Sequence, residues 1–421
     1  MKHLILGNGP AGVIAAENLR QADPTCEIVM AGCEDAPPYA RMAIPYLLEE
    51  QIGEAGTYLR KTPDYYKHLR IVEKRGRAVG LDTAQKNVKF DDGSLETYDR
   101  LLIATGSHPM RPPIPGLDRP EVQTCWTLED ARAIAKLARP GSRVVQLGAG
   151  FIGCIIMKSL ASRGVDLTVV EMGDRMVPRM MTPKAGNMIR RWVEAKGIKV
   201  RTQAGVASVE GGSDSKAPLL VKLTTGESLP CDLLIVSAGV APNVDFLKDS
   251  AVKVGKGVQV DKQMQTSVAG IYAAGDVAEA PDFFTGNPFV SAIQPNAADQ
   301  ARVAAMNMAG QAVKMPGALA INVLDTMDLI STSFGQWWGL DQPDGVEHVD
   351  EKRHRYLSLQ FDGDILIGAT AIGLIEHIGV LRGLIQNRTP LGAWKEVLKA
   401  APLHFAEAYV ARSQQPTALM H

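Results

Sequence analysis

Apolar residues 3–6 form a short run that stops at Gly7, and a glycine-rich turn runs on to Gly12. Residues 13–19 then carry apolar positions at helical spacing, and a second apolar run covers 27–31. Short apolar runs bounded by turn signals predict buried strands, so this stretch predicts strand, turn, helix, strand. The pattern recurs at 143–147, 148–153, 154–160 and 167–170, about 140 residues further on. Strands alternating with helices fit a parallel sheet with helices on its faces, and two such units predict two nucleotide-binding domains of one type.

Punctuation places the domain edges. Gly106 is followed by the proline-rich run His108-Pro-Met-Arg-Pro-Pro-Ile-Pro115-Gly, and a second break stands at Ala241-Pro242-Asn243. Proline fixes φ and cannot continue a helix or a central strand, so both read as crossovers between domains. After about residue 320 the pattern changes to strand-like runs at 329–334, 356–361 and 365–372, then one helix over 391–410. The expected fold class is α/β, with two Rossmann-like domains and a C-terminal α+β domain. The expected boundaries are 1–112 with 243–320, then 113–242, then 321–421.

Composition mostly narrows. An apolar fraction of 46% and a charged fraction of 22% exclude a disordered chain. A net charge of −1 argues against a nucleic-acid binder working through a basic field. Five cysteines, with no C-x-x-C, support neither a disulfide framework nor a zinc knuckle, and no metal is expected. The longest apolar stretch, 365–375, stops at Glu376, short of the ~18–20 residues a membrane helix needs. The N-terminus shows no secretory pattern, so a soluble cytoplasmic protein is expected.

The 40 glycines are more informative by position than by number. Gly7-Asn-Gly9-Pro-Ala-Gly12 and Gly148-Ala-Gly150-Phe-Ile-Gly153 both fit G-x-G-x-x-G between strand and helix. The first glycine allows the tight turn, the second lets the backbone approach a pyrophosphate, and the third lets helix and strand pack closely. The helix N-terminus then offers free N–H groups to the phosphates. An acid about 20 residues on accepts from ribose hydroxyls. Glu171 takes that place in the second copy and Glu34 in the first. A carboxylate suits the free 2′-hydroxyl of NADH better than the 2′-phosphate of NADPH.

Two further segments are specific. Tyr98-Asp-Arg-Leu-Leu-Ile-Ala104-Thr105-Gly106 is a strand ending in A-T-G, and 266–277 is a strand ending in Gly275-Asp276. With both glycine turns in order, residues 1–320 resemble the FAD-dependent pyridine nucleotide-disulfide oxidoreductase superfamily. The stretch Pro38-Tyr39-Ala-Arg41-Met-Ala-Ile-Pro45-Tyr46 is most similar to rubredoxin/ferredoxin reductases and the flavin module of nitrite reductase large subunits. The resemblance implies that Gly7, Gly9, Pro10, Ala11 and Gly12 hold the FAD pyrophosphate, with Arg41 as its cation and Glu34 on the ribose. It implies that Ala78 meets the adenine end and that Ala104, Thr105 and Gly106 pass close to the cofactor. Asp276 would accept from the ribityl chain, and Gln294, Asn296 and Ala297 would start a helix aimed at the flavin pyrimidine. Gly148, Gly150, Phe151, Ile152, Gly153 and Glu171 would hold NADH, with Gly239 beside the nicotinamide.

Three departures qualify the resemblance. Met42 stands where the disulfide reductases carry their redox cysteine, and a thioether cannot exchange disulfides. Ile155 replaces a glutamate that many relatives turn towards the nicotinamide, and Cys33 stands where relatives place the ribose acid. The expected function is an FAD-dependent NAD(P)H oxidoreductase that passes electrons from NADH through flavin to an iron-sulfur carrier or partner reductase. The alternatives are an NADH oxidase using oxygen or quinone, and a flavin-bearing subunit of a larger redox complex. The C-terminal domain is expected to supply an interface, a homodimer's among the options. No catalytic side chain follows from the sequence.

Overall fold

A computed structural model of the chain describes residues 1–212 and 217–413. It divides into two compact units, Met1–Met110 with Val240–Leu319, and Arg111–Gly239 with the residues from Ala320 on. The first is built on a parallel five-stranded sheet in the order Ile271–Ala273, Arg100–Ile103, Lys2–Leu6, Glu27–Gly32, Ile71–Arg75. Its central strands are buried almost without exception, which is why they read as continuous apolar runs rather than alternating ones. Helices Pro10–Ala22 and Gln294–Met308 pack on this sheet through small residues such as Ala11, Ala15, Ala297 and Ala301.

The second unit repeats the plan. Its parallel sheet runs Lys199–Arg201, Asp166–Val170, Arg143–Leu147, Leu233–Val236, Val122–Gln123. Each parallel sheet also has a three-stranded antiparallel companion, Ala78–Asp82 to Leu95–Thr97 in the first unit and Val206–Gly211 to Ser228–Cys231 in the second. The duplication is therefore larger than the glycine turns alone. The two proline-marked crossovers pair with each other as an antiparallel ribbon, Ser107–Pro109 against Val240–Pro242.

Residues from Ile321 form an antiparallel five-stranded sheet in the order Ile321–Thr326, Leu329–Gly335, Ile365–Ile372, Arg355–Asp362, Gly345–Asp350. The single helix expected over 391–410 is instead two, Trp394–Ala400 and Phe405–Ser413, preceded by Ile378–Gln386. Pro402 opens a short 3₁₀ turn between them, because its ring and missing N–H bar a continuous helix. We propose two further domains, 113–242 and 321–421, since the two large sheets of the second unit share no strand; residues 240–242 fall in the first unit. Among the described residues no helix is long and apolar enough to cross a membrane.

Candidate nucleotide-binding sites

In both turns the three glycines divide by surroundings. Gly7 has φ +116°, and a Cβ there would lie 2.0 Å from the Ala104 carbonyl oxygen. A Cβ on Gly12 would lie 1.8 Å from the Gly7 carbonyl oxygen. In the second copy Gly148 has φ +100° and would meet the Ser237 carbonyl at 2.4 Å, and Gly153 the Gly148 carbonyl at 2.4 Å. First and third glycines are thus demanded by the protein's own packing. Gly9 and Gly150 are different: a Cβ on either meets no heavy atom within 4 Å. Packing within the protein does not require glycine at these two positions, and an approaching ligand would.

The helices behind the turns agree. Gly9 and Gly150 are the N-cap residues of Pro10–Ala22 and Phe151–Ser162, and neither helix has a side-chain cap. Two other helices of the second unit are capped, Leu128–Leu137 by Thr127 and Pro183–Ala195 by Thr182. The first-turn N–H groups behind the glycine turns are left for an anion, which fits the pyrophosphate of a dinucleotide.

Other residues of the first unit gather round the Gly7 turn. Ala104 follows the strand Arg100–Ile103, with its carbonyl packed against Gly7. The Thr105 hydroxyl donates to the Asn243 carbonyl at 2.9 Å, and the Asn243 amide donates back to the Thr105 carbonyl at 2.8 Å. The Asn243 N–H reaches Gly106 O at 2.9 Å, so one crossover residue locks the whole A-T-G turn. Gly275, at φ +83°, donates its N–H to Gln300 Oε1 at 2.8 Å, and a Cβ there would meet Ala11 and Ala297 at 3.2 and 3.6 Å. The Asp276 carboxylate accepts from the Ser107 hydroxyl at 2.9 Å, and burial pushes its pKa up. Pro10 takes a first-turn position of its helix. Gln294 opens the last helix of this unit, exposed. The Asn296 amide is turned inward, donating to the Ser291 hydroxyl at 2.7 Å and the Leu319 carbonyl at 2.9 Å. The Asn296 side-chain nitrogen is therefore already committed within the protein. Ser107, Asn243 and Gln300 were not legible as site residues, because each acts on a turn far away in sequence.

Glu34 and Arg41 pair with each other at 2.6 Å, and Tyr39 donates its hydroxyl to the same carboxylate. The two charges assigned to one ligand thus neutralise one another here. Glu34 lines a cleft of about 980 Å³ together with Asn8, Gly32, Arg60, Lys74 and Arg75 among others. Ala78 lies half-buried at the start of its strand, opposite Phe90. Met42 and Tyr46, one turn apart, are 49% and 53% exposed.

In the second unit Glu171 accepts from the Ala149 and Gly173 N–H groups, both at 2.7 Å. One carboxylate therefore reaches into the glycine turn and also braces its own loop. Of the two cations near enough in sequence to serve a 2′-phosphate, Arg175 is spent on the Met181 carbonyl at 3.0 Å and on Asp174 at 2.7 Å, while Arg179 is exposed. Phe151, Ile152 and Ile155 are half-buried on the first turns of the helix, and Gly239 turns at φ +107°.

All five cysteines are free. Burial pushes the thiols of Cys125, Cys154 and Cys231 up to about 12, and that of Cys26 up as well. Only Cys33 is exposed. Buried thiols of this kind are inert as nucleophiles. Cys33→Ser is therefore expected to keep turnover with an artificial electron acceptor within about twofold of the parent, the scatter of a neutral surface change. A fall of tenfold or more would show a thiol relay.

Residues 1–307 match the family described as pyridine nucleotide-disulphide oxidoreductase. The chain belongs to that family, and its activity is that of an FAD-dependent NAD(P)H oxidoreductase. It is 32% identical to subunit epsilon of the NADH-dependent phenylglyoxylate dehydrogenase of Aromatoleum evansii, across 96% of this chain and 95% of that one. It is 31% identical to the rubredoxin-NAD(+) reductase of Pseudomonas putida, across 75% of this chain and 82% of that one. Its fold superposes on the crystal structure of the covalent putidaredoxin reductase-putidaredoxin complex with a TM-score of 0.89, at 23% identity, across 98% of this chain and 99% of that chain.

Proposed function

We propose that NADH docks on the Gly148 turn, FAD on the Gly7 turn, and that the electrons leave for an iron-sulfur carrier or a partner enzyme without passing through a thiol. The observation that carries this reading is the pair of open middle glycines, Gly9 and Gly150, each at an uncapped helix N-terminus. Bound FAD supplies the redox chemistry, taking two electrons from a dihydronicotinamide and releasing them singly or together. The chain's own residues bind and orient. Gly7, Gly9, Pro10, Ala11 and Gly12 would give the pyrophosphate its main-chain donors, and Asp276 would accept from the ribityl hydroxyls. Ala104, Thr105 and Gly106 would form the wall that Asn243 holds in place. Gln294, Asn296 and Ala297 would present N–H groups from the helix start. Arg41 and Glu34 would exchange part of their mutual pairing for the phosphate and the ribose, and Ala78 would lie at the adenine. Gly148, Gly150, Phe151, Ile152 and Gly153 would cradle NADH, and Gly239 would lie beside the nicotinamide.

NADH is favoured over NADPH because Glu171 presents a carboxylate at the turn and Arg175, one of the two nearby cations, is committed elsewhere. That leaves the exposed Arg179 as the other cation for a 2′-phosphate. Glu171→Gln keeps an acceptor oxygen and removes the charge. It is expected to narrow the NADH:NADPH ratio of kcat/KM about tenfold, equal to ~1.4 kcal/mol of discrimination. An unchanged ratio would place the cofactor's adenosine ribose elsewhere. Five free thiols favour a reducing compartment such as the cytoplasm.

The acceptor is argued from chemistry and likeness. Met42 stands at the position where the family's disulfide reductases use cysteine, and four of the five thiols are buried. A relative named for rubredoxin supports an iron-thiolate carrier. A second reading has one specific support: the phenylglyoxylate dehydrogenase subunit matches this chain nearly end to end, so the partner could be a larger complex. Anaerobic reduction with NADH, followed by rubredoxin, ferredoxin, quinone and oxygen in turn, tests both. Rapid reoxidation by an iron protein supports the first reading. Reoxidation by oxygen alone identifies an oxidase, and co-purifying subunits with no turnover by the isolated chain select the complex.

A further inference from the structure

His3 lies on the first strand at the end remote from Gly7, between Glu27–Gly32 and Arg100–Ile103. Its side chain is 0% exposed, and neither ring nitrogen has a hydrogen-bond partner. An imidazole must donate or accept at both nitrogens, so a buried ring with neither met calls for an occupant, a water or an ion. The surroundings are not apolar. Asp23, the C-cap of the first helix, and Cys26, at the entry to the second strand, face the ring. One ligand atom from each of the three lies within 4.8 Å of the other two.

The loop between helix and strand is folded to hold this arrangement. Asp23 Oδ1 accepts from the Thr25 N–H at 2.9 Å, the Thr25 hydroxyl at 2.8 Å and the Cys26 N–H at 3.1 Å. That turn fixes the carboxylate and directs Cys26 inward, with Sγ 3.1 Å from the Asp23 carbonyl oxygen. Arg20 bonds the carbonyls of Asp23, Pro24 and Cys26 from the outer side of the loop, with Nη1 3.7 Å from Sγ.

We propose that His3, Asp23 and Cys26 form a zinc site that ties together the first strand, first helix and second strand of the Gly7 unit. One nitrogen, one oxygen and one thiolate sulfur are a donor set that zinc accepts, whereas magnesium and calcium prefer oxygen alone. Ligand atoms on one tetrahedral ion lie roughly 3.3–3.8 Å apart, given bond lengths near 2.0–2.3 Å. The observed spread of up to 4.8 Å must close by about 1 Å for all three to bind one ion. Binding releases the Cys26 thiol proton to solvent, so thiolate and carboxylate together balance the ion's two charges. Burial raises the Cys26 thiol and the Arg20 cation opposes only part of that rise, so deprotonation is driven by the ion itself. A water or the Asp23 carbonyl completes the coordination. The cysteine spacing predicts no such site, because the fold and not the spacing brings the three residues together.

The test uses the whole flavoprotein. After chelator treatment and dialysis it is titrated with Zn²⁺ against a chromophoric competitor, and separately with Co²⁺. Expected are one tight ion per chain, cobalt ligand-field bands beyond the flavin absorption, and a rise in melting temperature on zinc addition. Cys26→Ser and His3→Gln are each expected to weaken zinc binding by about 100-fold, as loss of a direct ligand does at least as strongly as loss of its outer partners. NADH turnover should not change with zinc, since the site lies at the far end of the strand from Gly7. Fewer than about one ion per ten chains at saturating zinc would assign the pocket to water. Equal binding by parent and Cys26→Ser would also overturn the proposal. If His3→Gln does not fold, Asp23→Asn replaces it.

Discussion

Gly150→Val is expected to give a folded flavoprotein that NADH no longer reduces. The backbone at Gly150 is extended, with φ −74° and ψ −170°, which valine adopts without strain. A Cβ there meets nothing of the protein within 4 Å, so stability should change little. The added methyls instead fill the space from which a pyrophosphate must approach the uncapped N–H groups. Loss of that approach should lower kcat/KM for NADH by at least ~100-fold, about 2.8 kcal/mol, with FAD content unchanged. Gly153→Val is the contrast. Its Cβ would lie 2.4 Å from the Gly148 carbonyl and 2.7 Å from the Gln146 amide nitrogen, so the helix must move away from the strand. That variant should lose several degrees of melting temperature as well as activity. Flavin absorbance, melting curves and anaerobic stopped-flow reduction separate the two. Normal reduction of Gly150→Val would remove the Gly148 turn from the reaction.

The same contrast shows what could be read from the chain and what could not. The glycine turns were legible because their chemistry is local: strand, turn and helix follow one another directly, over 2–22 and 143–162. So were the A-T-G and G-D strand ends and the two proline crossovers. The partners that hold those ends were not. Ser107 reaches Asp276 across 169 positions, and Thr105 and Asn243 exchange bonds across 138. No periodicity encodes such pairs. Glu34 and Arg41 were legible as charged residues, while their direct pairing depends on how the loop after the second strand closes. The antiparallel companions of the two sheets were missed because their strands are short and half-exposed. At the C-terminus helical propensity ran past Pro402, and local sterics broke the helix there. His3 reads as one polar residue in an apolar strand until the fold brings Asp23 and Cys26 to it.

Asp276→Leu is expected to weaken FAD binding about 100-fold while leaving a folded chain. Gly275 and Asp276 form a turn that is over-determined: Gln300 fixes the Gly275 N–H, and Ala11 and Ala297 leave little more space than glycine needs. The carboxylate at the end of this turn is desolvated, which raises its pKa, and the Ser107 hydroxyl opposes only part of that rise. A buried carboxylate with incomplete compensation costs stability, so its retention points to a polyhydroxyl ligand rather than to folding. Removing it should raise the FAD Kd by about 100-fold, since it leaves buried ligand hydroxyls without an acceptor. Asp276→Asn keeps one acceptor oxygen and should lose only about tenfold. Apoprotein stability supplies a second readout. With the carboxyl pKa raised in the folded state, the native chain binds more protons than the unfolded chain above the ordinary Asp range. The contribution of Asp276 is then lost as pH rises from that range through the raised value. Asp276→Leu should flatten that part of the apoprotein pH profile. If FAD still co-purifies with Asp276→Leu at full occupancy, the ribityl role fails. If the parent's stability instead rises with pH across that window, and Asp276→Leu removes the rise, the carboxylate is stabilised by the fold and not held for the ligand.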